Sequence, residues 1–115
     1  MIRIRQGDGA VTLINVFACE PGTQQPLIDT WIGAAEDVLG KVPGLLSAAL
    51  HRSKDGTRVV NYAQFRSSSD WDNLLRLGRT RWFAEMDEYG TKDAHLYEVC
   101  YALDLERTAD GEPKP

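Results

Sequence analysis

Two carboxamides and a handful of flat aromatic side chains are the residues of this chain whose types and spacing could do chemistry. Asn15 lies in VTLINVFAC and Asn61 in RVVNYAQF, each amid apolar neighbours. A carboxamide is no acid or base near neutral pH, but it both donates and accepts directed hydrogen bonds. On an otherwise oily surface such an amide is either a satisfied structural group or the polar handle of an organic-ligand pocket. Trp31, Trp71 and Trp82 fall at helical spacing and read first as core residues, with pocket walls a second reading. Other chemistries find no support. No Ser-His-Asp set, Gly-rich phosphate loop or acid–base carboxylate pair can be assigned. Cys19, Cys100, His51 and His95 show no metal-ligand spacing, and buried, reduced structural thiols are expected. Glu85, Asp87 and Glu88 read as a solvated helix end.

The element that must position Asn61 is a hairpin within VPGLLSAALHRSKDGTRVVNYAQFRSSSDW. Two β-prone runs flank Asp55-Gly56, the strongest short-range signal for a two-residue type I′ turn. With that turn, Leu50 faces Asn61, Ala48 faces Ala63 and Leu46 faces Phe65. Period-two alternation then gathers these residues and Val59 on one face, apolar except for Asn61. Leu45, His51, Val60 and Tyr62 go to the other face.

The rest of the chain follows the same logic. VTLINVFAC reads as a central strand, Leu13, Asn15 and Phe17 on one face, Ile14 and Val16 on the other. Thr23 is the expected cap of a helix running to about Val42, its stripe made by Leu27, Trp31, Ala34 and Val38. Ser67 and Asp70 have capping-box spacing before a second helical region, about residues 69 to 89, interrupted at Gly78. A last strand is expected over His95–Leu105. Residues 1–10 read as a polar lead, 11–105 as the domain and 106–115 as a disordered tail. The order β-α-β-β-α-β is the α+β, ferredoxin-like arrangement. Two helices cover one sheet face; Ile14, Val16, Val60 and Tyr62 on the other are too apolar to leave wet, so a homodimer stacked sheet on sheet is expected.

Composition sets wider bounds. The 115 residues are 43% hydrophobic and 26% charged, with formal net charge −4. That suits one globular domain, with no basic stripe for nucleic acid or an anionic membrane. No apolar run reaches a membrane span and no signal-peptide core is visible, so a cytoplasmic protein is expected.

VTLINVFACEPGTQQPLIDTW, VPGLLSAALHRSKDGTRVVNYAQFRS and a later LYEV together resemble the antibiotic biosynthesis monooxygenase domain, from about Val11 to Val99. The most specific piece, VVNYAQ followed by an aromatic, is similar to the small quinone-forming monooxygenases of aromatic polyketide pathways. The resemblance implies a dimeric α+β barrel with a pocket between sheet and helices. It also implies oxidation of anthrone-type phenols by dioxygen without flavin, haem or metal. Asn61 matches the family's pocket asparagine, and Asn15 a polar first-strand position. Phe65 stands where these oxygenases have tryptophan and Trp71 where they have tyrosine, which removes two hydrogen-bond donors. The family's helix arginine has three candidates here, Arg76, Arg79 and Arg81. Haem-degrading relatives use a helix histidine, and the second helical region has none.

On that resemblance Asn61 is the expected catalytic group, holding the substrate's enolate or phenolate. Asn15, Phe17, Trp31, Phe65 and Trp71 are expected to bind a flat polycyclic substrate, with dioxygen as co-substrate and no cofactor. Two other functions suit the same residues: a polyketide cyclase, and a non-catalytic small-molecule-binding dimer.

Overall fold

The computed structural model describes residues 2–4, 7, 9–77 and 81–105, apart from the side chains of residues 77 and 81. Four strands form an antiparallel sheet, with the helices packed on one face. In chain order the elements are β1 (Val11–Cys19), α1 (Pro21–Asp37), a short 3-10 turn (Leu39–Lys41), β2 (Leu45–Arg52), β3 (Arg58–Phe65), α2 (Ser68–Leu77), α3 (Arg81–Tyr89) and β4 (Gly90–Tyr97). The sheet order is β2-β3-β1-β4. This is the ferredoxin-like arrangement, its second helical region divided into α2 and α3 on either side of residues 78–80. The expected tail, 106–115, lies outside the described residues. Among those described, no helix is long and apolar enough to cross a membrane.

The hairpin keeps the expected register by a different turn. Leu50 pairs with Asn61 and Ala48 with Ala63. A type I′ turn needs positive φ at Asp55, and among the described residues only glycines have it. Instead the Gly56 N–H bonds the Ser53 carbonyl at 3.2 Å, the Ser53 N–H bonds the Arg58 carbonyl at 3.0 Å, and Gly56 takes φ +81°. Asp55 Oδ1 accepts from the Thr57 N–H, the Thr57 hydroxyl and the Ser53 hydroxyl, at 3.0, 2.7 and 2.8 Å. Those bonds, Thr57's foremost, lower the Asp55 pKa to about 2. They also hold the loop in a form that spares Asp55 a left-handed backbone. The loop is longer by one residue on each side than the expected turn, so the parity of the strands, and hence their faces, is unchanged.

Register slips at the far end of the hairpin. A break between Leu45 and Ser47 sets Leu45, not Leu46, opposite Phe65 and leaves Leu46 59% exposed. An extra residue of this kind reverses the facing of everything beyond it.

The helices start and stop at local signals. Glu20 caps α1, its N–H bonded to Thr23 Oγ1 at 3.1 Å, with Pro21 at the first helical position. Thr23 is therefore inside the helix rather than its cap, and the helix ends at Asp37 instead of near Val42. Gln24 Nε2 donates to the Ser53 and Arg58 carbonyls, both at 3.0 Å, tying α1 to the hairpin loop. Before α2, Ser67 Oγ accepts the Asp70 N–H at 3.3 Å and donates to its carboxylate at 2.8 Å. Arg66 Nη2 bonds the other carboxylate oxygen at 3.0 Å. The Ser67 hydroxyl first, then Arg66, hold the Asp70 carboxyl below its ordinary pKa.

β4 corrects the expected last strand. It begins at Gly90, directly after α3, where a Cβ would stand 2.8 Å from the Ala18 carbonyl on β1, so this close approach requires glycine. It ends at Tyr97, so residues beyond it extend the chain without joining the sheet. The polar Thr91, Lys92 and Asp93 disguise it in the sequence. An exposed edge strand tolerates such residues where a central one does not. Cys19 is partly buried, which raises its pKa, but Cys100 is exposed and not the buried thiol expected.

Candidate active site

β3, β1 and β4 carry the site. Asn61 on β3 lies directly opposite Asn15 on β1, which is opposite Ala94 on β4. Directly opposed residues on one face hold their Cβ atoms about 5 Å apart. The expected solitary amide is therefore one of two facing amides. Leu13, Phe17, Val59 and Phe65 pack around them as buried core residues. Ala48, Ala63 and Ala94 occupy neighbouring positions on the same face. Methyl groups there leave space that branched side chains would fill. The result is a cavity of about 220 Å³ between the sheet and the helices.

Every site residue expected from sequence meets at this cavity: Asn61, Asn15, Phe17, Trp31, Phe65 and Trp71 all line it. Phe65 and Trp71 form one wall corner, their rings edge to face at 67° with centroids 5.7 Å apart. Asn15 is 9% and Asn61 8% exposed, and the Oδ1 of each is buried with no hydrogen-bond partner. Rotating an amide by 180° exchanges its oxygen and nitrogen, so either asparagine can turn a donor or an acceptor to a ligand. Leaving such a group buried and unpaired costs about 1–3 kcal/mol.

Of the three arginine candidates, Arg76 is the one whose side chain is described. Arg76 is exposed and does not line the cavity. Arg79 and the Arg81 side chain lie outside the described residues. Tyr62 and His51 do not line the cavity either. Among the lining residues not proposed from sequence as site residues are Leu39, Leu45, Leu74, Phe83, Met86 and Lys92. Period-3.6 spacing signals Leu74 and Met86 as core-facing. Lys92 carries no such signal, because it precedes the apolar run that predicts the last strand. Among the described residues no cluster of His, Cys, Asp and Glu could hold a metal ion.

Residues 10–85 match the sequence profile of the antibiotic biosynthesis monooxygenases. The chain belongs to that family. It is 42% identical over 71 residues to tetracenomycin-F1 monooxygenase of Streptomyces glaucescens, a match covering 62% of this chain and 63% of that protein. Among solved structures it resembles the ActVA-Orf6 monooxygenase of Streptomyces coelicolor bound to nanaomycin D, at 29% identity and a TM-score of 0.65, covering 85% of this chain and 93% of that one. SnoaB of Streptomyces nogalater, a cofactor-independent oxygenase, shares the fold at 17% identity and a TM-score of 0.68, over 83% of this chain and 97% of that one.

Proposed function

We propose that this family member is a cofactor-independent monooxygenase that oxidises an anthrone-type phenol of aromatic polyketide origin to a quinone. The observation that carries this reading is the pair of buried, unpartnered amides facing each other in an apolar cavity with aromatic walls. The relatives named as a tetracenomycin-F1 monooxygenase and as a monooxygenase complexed with nanaomycin D support the same substrate class.

An anthrone loses a proton from its central methylene to solvent at the cavity mouth, leaving a delocalised anion, and the peroxide formed later takes a proton back from solvent. Asn61 donates its amide N–H to the anion's oxygen, and Asn15 supports the same oxygen or its neighbour. In a water-poor cavity these bonds favour the charged form more than they would in water. The anion gives one electron to dioxygen, the resulting radicals combine at the same carbon, and a hydroperoxide forms. Loss of water leaves the quinone carbonyl, so one oxygen atom enters product and the other leaves as water. Phe65, Trp71 and Trp31 hold the flat ring system while this happens.

Incubating the protein with anthrone under ¹⁸O₂ tests the reading. One labelled oxygen in the quinone, lost with Asn61→Ala, is the expected result. Consumption of substrate without oxygen uptake would favour a cyclase, and saturable binding without product a carrier; either overturns the oxygenase.

The same reading includes a homodimer. Ile14, Val16 and Tyr62 leave the outer sheet face half covered, and Tyr101, Leu103 and Leu105 beyond β4 are 69%, 65% and 52% exposed. That much apolar surface on one small domain calls for a second copy. Analytical ultracentrifugation should give twice the chain mass, and a monomer at micromolar concentration would remove the dimer.

A further inference from the structure

Lys92 occupies a position that the amide chemistry leaves unused. It lines the cavity from β4, directly opposite Phe17 and therefore diagonal to Asn15 on the same sheet face. Diagonal neighbours of this kind are separated by about 7–8 Å. The exposed members of the lining are Leu75, Lys92 and Ala94, which puts the mouth of the cavity beside β4. Among the described residues that line the cavity, Lys92 carries the formal charge; the others are apolar or neutral amides.

Its ammonium has an aromatic ring and a carboxylate as neighbours. Nζ stands 5.5 Å from the centroid of the Phe83 ring, itself part of the cavity wall. It also contacts Asp87 Oδ1 at 3.4 Å, with the two side chains 47% and 55% exposed. An exposed pair of that length is weak and easily exchanged for another anion. An ammonium has three donors, so one long contact leaves it free to bind a second oxygen. The low-dielectric wall behind it concentrates its field toward the mouth.

We infer that Lys92 forms an anion subsite at the cavity mouth and selects a flat aromatic substrate carrying a carboxylate on its outer ring. The subsite rests on the oxygenase reading for its reaction, though not for its binding. The substrate lies across the sheet face, its reacting oxygen at the two asparagines and its carboxylate at Lys92. Asp87 competes with that carboxylate, so the site is tuned by the pair and not by the lysine alone.

The test compares anthrone with an anthrone bearing a ring carboxylate, in the wild-type protein, Lys92→Gln, Lys92→Arg and Asp87→Asn. The quantity read is the ratio of kcat/KM for the acid to that for the neutral compound. Lys92→Gln should lower this ratio about tenfold, through KM for the acid, since a hydrogen bond to a charged group is worth that much. Lys92→Arg should restore most of it, and Asp87→Asn should raise it above wild type. A ratio unchanged in Lys92→Gln overturns the subsite. If the wild-type protein turns over neither compound, the oxygenase reading fails by itself. The same ratio is then measured as Kd by quenching of tryptophan fluorescence, where a Lys92→Gln ratio equal to wild type again overturns the subsite.

Discussion

Asn61 and Gln64 are carboxamides three residues apart on β3, both 8% exposed, and their circumstances are opposite. On the outer face, Gln64 Oε1 accepts from Ser47 Oγ at 2.7 Å, and its Nε2 donates to the Arg3 carbonyl and to the Tyr62 hydroxyl. On the inner face, Asn61 Oδ1 has no partner, and neither has that of Asn15 across from it. The fold thus satisfies a buried amide where a neighbouring hydroxyl and a returning chain segment are at hand. It leaves two unsatisfied where the wall is alanine and aromatic carbon. Buried polar groups are nearly always paired, so these two amide oxygens stand out as exceptions on this sheet.

Substitutions at the two amides break the comparison most directly. Asn61→Ala should cut turnover by about 100-fold or more, the usual effect of removing one donor to a developing oxyanion. Its melting temperature should stay near wild type, because no partner is orphaned. Gln64→Ala should do the reverse, costing about 1–3 kcal/mol in denaturant unfolding by stranding Ser47 and the Arg3 carbonyl, with turnover nearly intact. Equal losses of activity and stability in Asn61→Ala would reduce it to a structural amide. Asn15→Ala should have the smaller effect, roughly tenfold in kcat. Combined with Asn61→Ala it should be non-additive by about 0.5–3 kcal/mol, as expected of two groups serving one oxygen. Ala94→Leu sharpens the point from the other side. A branched side chain at this exposed lining position covers Asn15, so KM should rise several-fold while the melting temperature holds.

The smallest expected effect concerns the hairpin that sets the register. Asp55 and Asp70 have folded pKa values below the unfolded carboxyl value, about 2 for Asp55. Their stabilisation is present above about pH 4, the ordinary aspartate range, and is lost as pH falls toward 2. The melting temperature should decline across that window, and Asp55→Asn should flatten the decline. A parallel decline in the variant would dissociate the loop aspartate from the stability of the hairpin.

Much of the candidate site was legible in the sequence. Alternation along β1 and β3 put Asn15, Phe17, Asn61 and Phe65 on faces that turned out to line one cavity, and helical spacing brought Trp31 and Trp71 to the same place. Leu45 and Leu46 exchange the faces that alternation predicts, because a strand irregularity has no compositional signature when both residues are leucine. β4 starts earlier than the apolar pattern predicts, because an edge strand can carry Lys92 and Asp93 without cost, which erases the signal that would reveal it.

Sequence by itself determined the family, the element order and the parity of the strands. The family follows from the resemblance carried by VVNYAQ and its neighbouring segments. Order and parity follow from short-range patterns: side chains alternate with period two, and the loop at residues 53–58 preserves that parity whether two or four residues make the turn. Tertiary structure alone decided which amides go unpaired, where the alanines open a cavity, and that a lysine from the last strand stands at its mouth. Hydrogen-bond satisfaction and empty space depend on atoms supplied by segments far apart in the chain. Alternation along β3 puts Asn61 and Gln64 on opposite faces, but whether each amide finds a partner depends on Ser47, Arg3 and the cavity walls, which lie elsewhere in the chain.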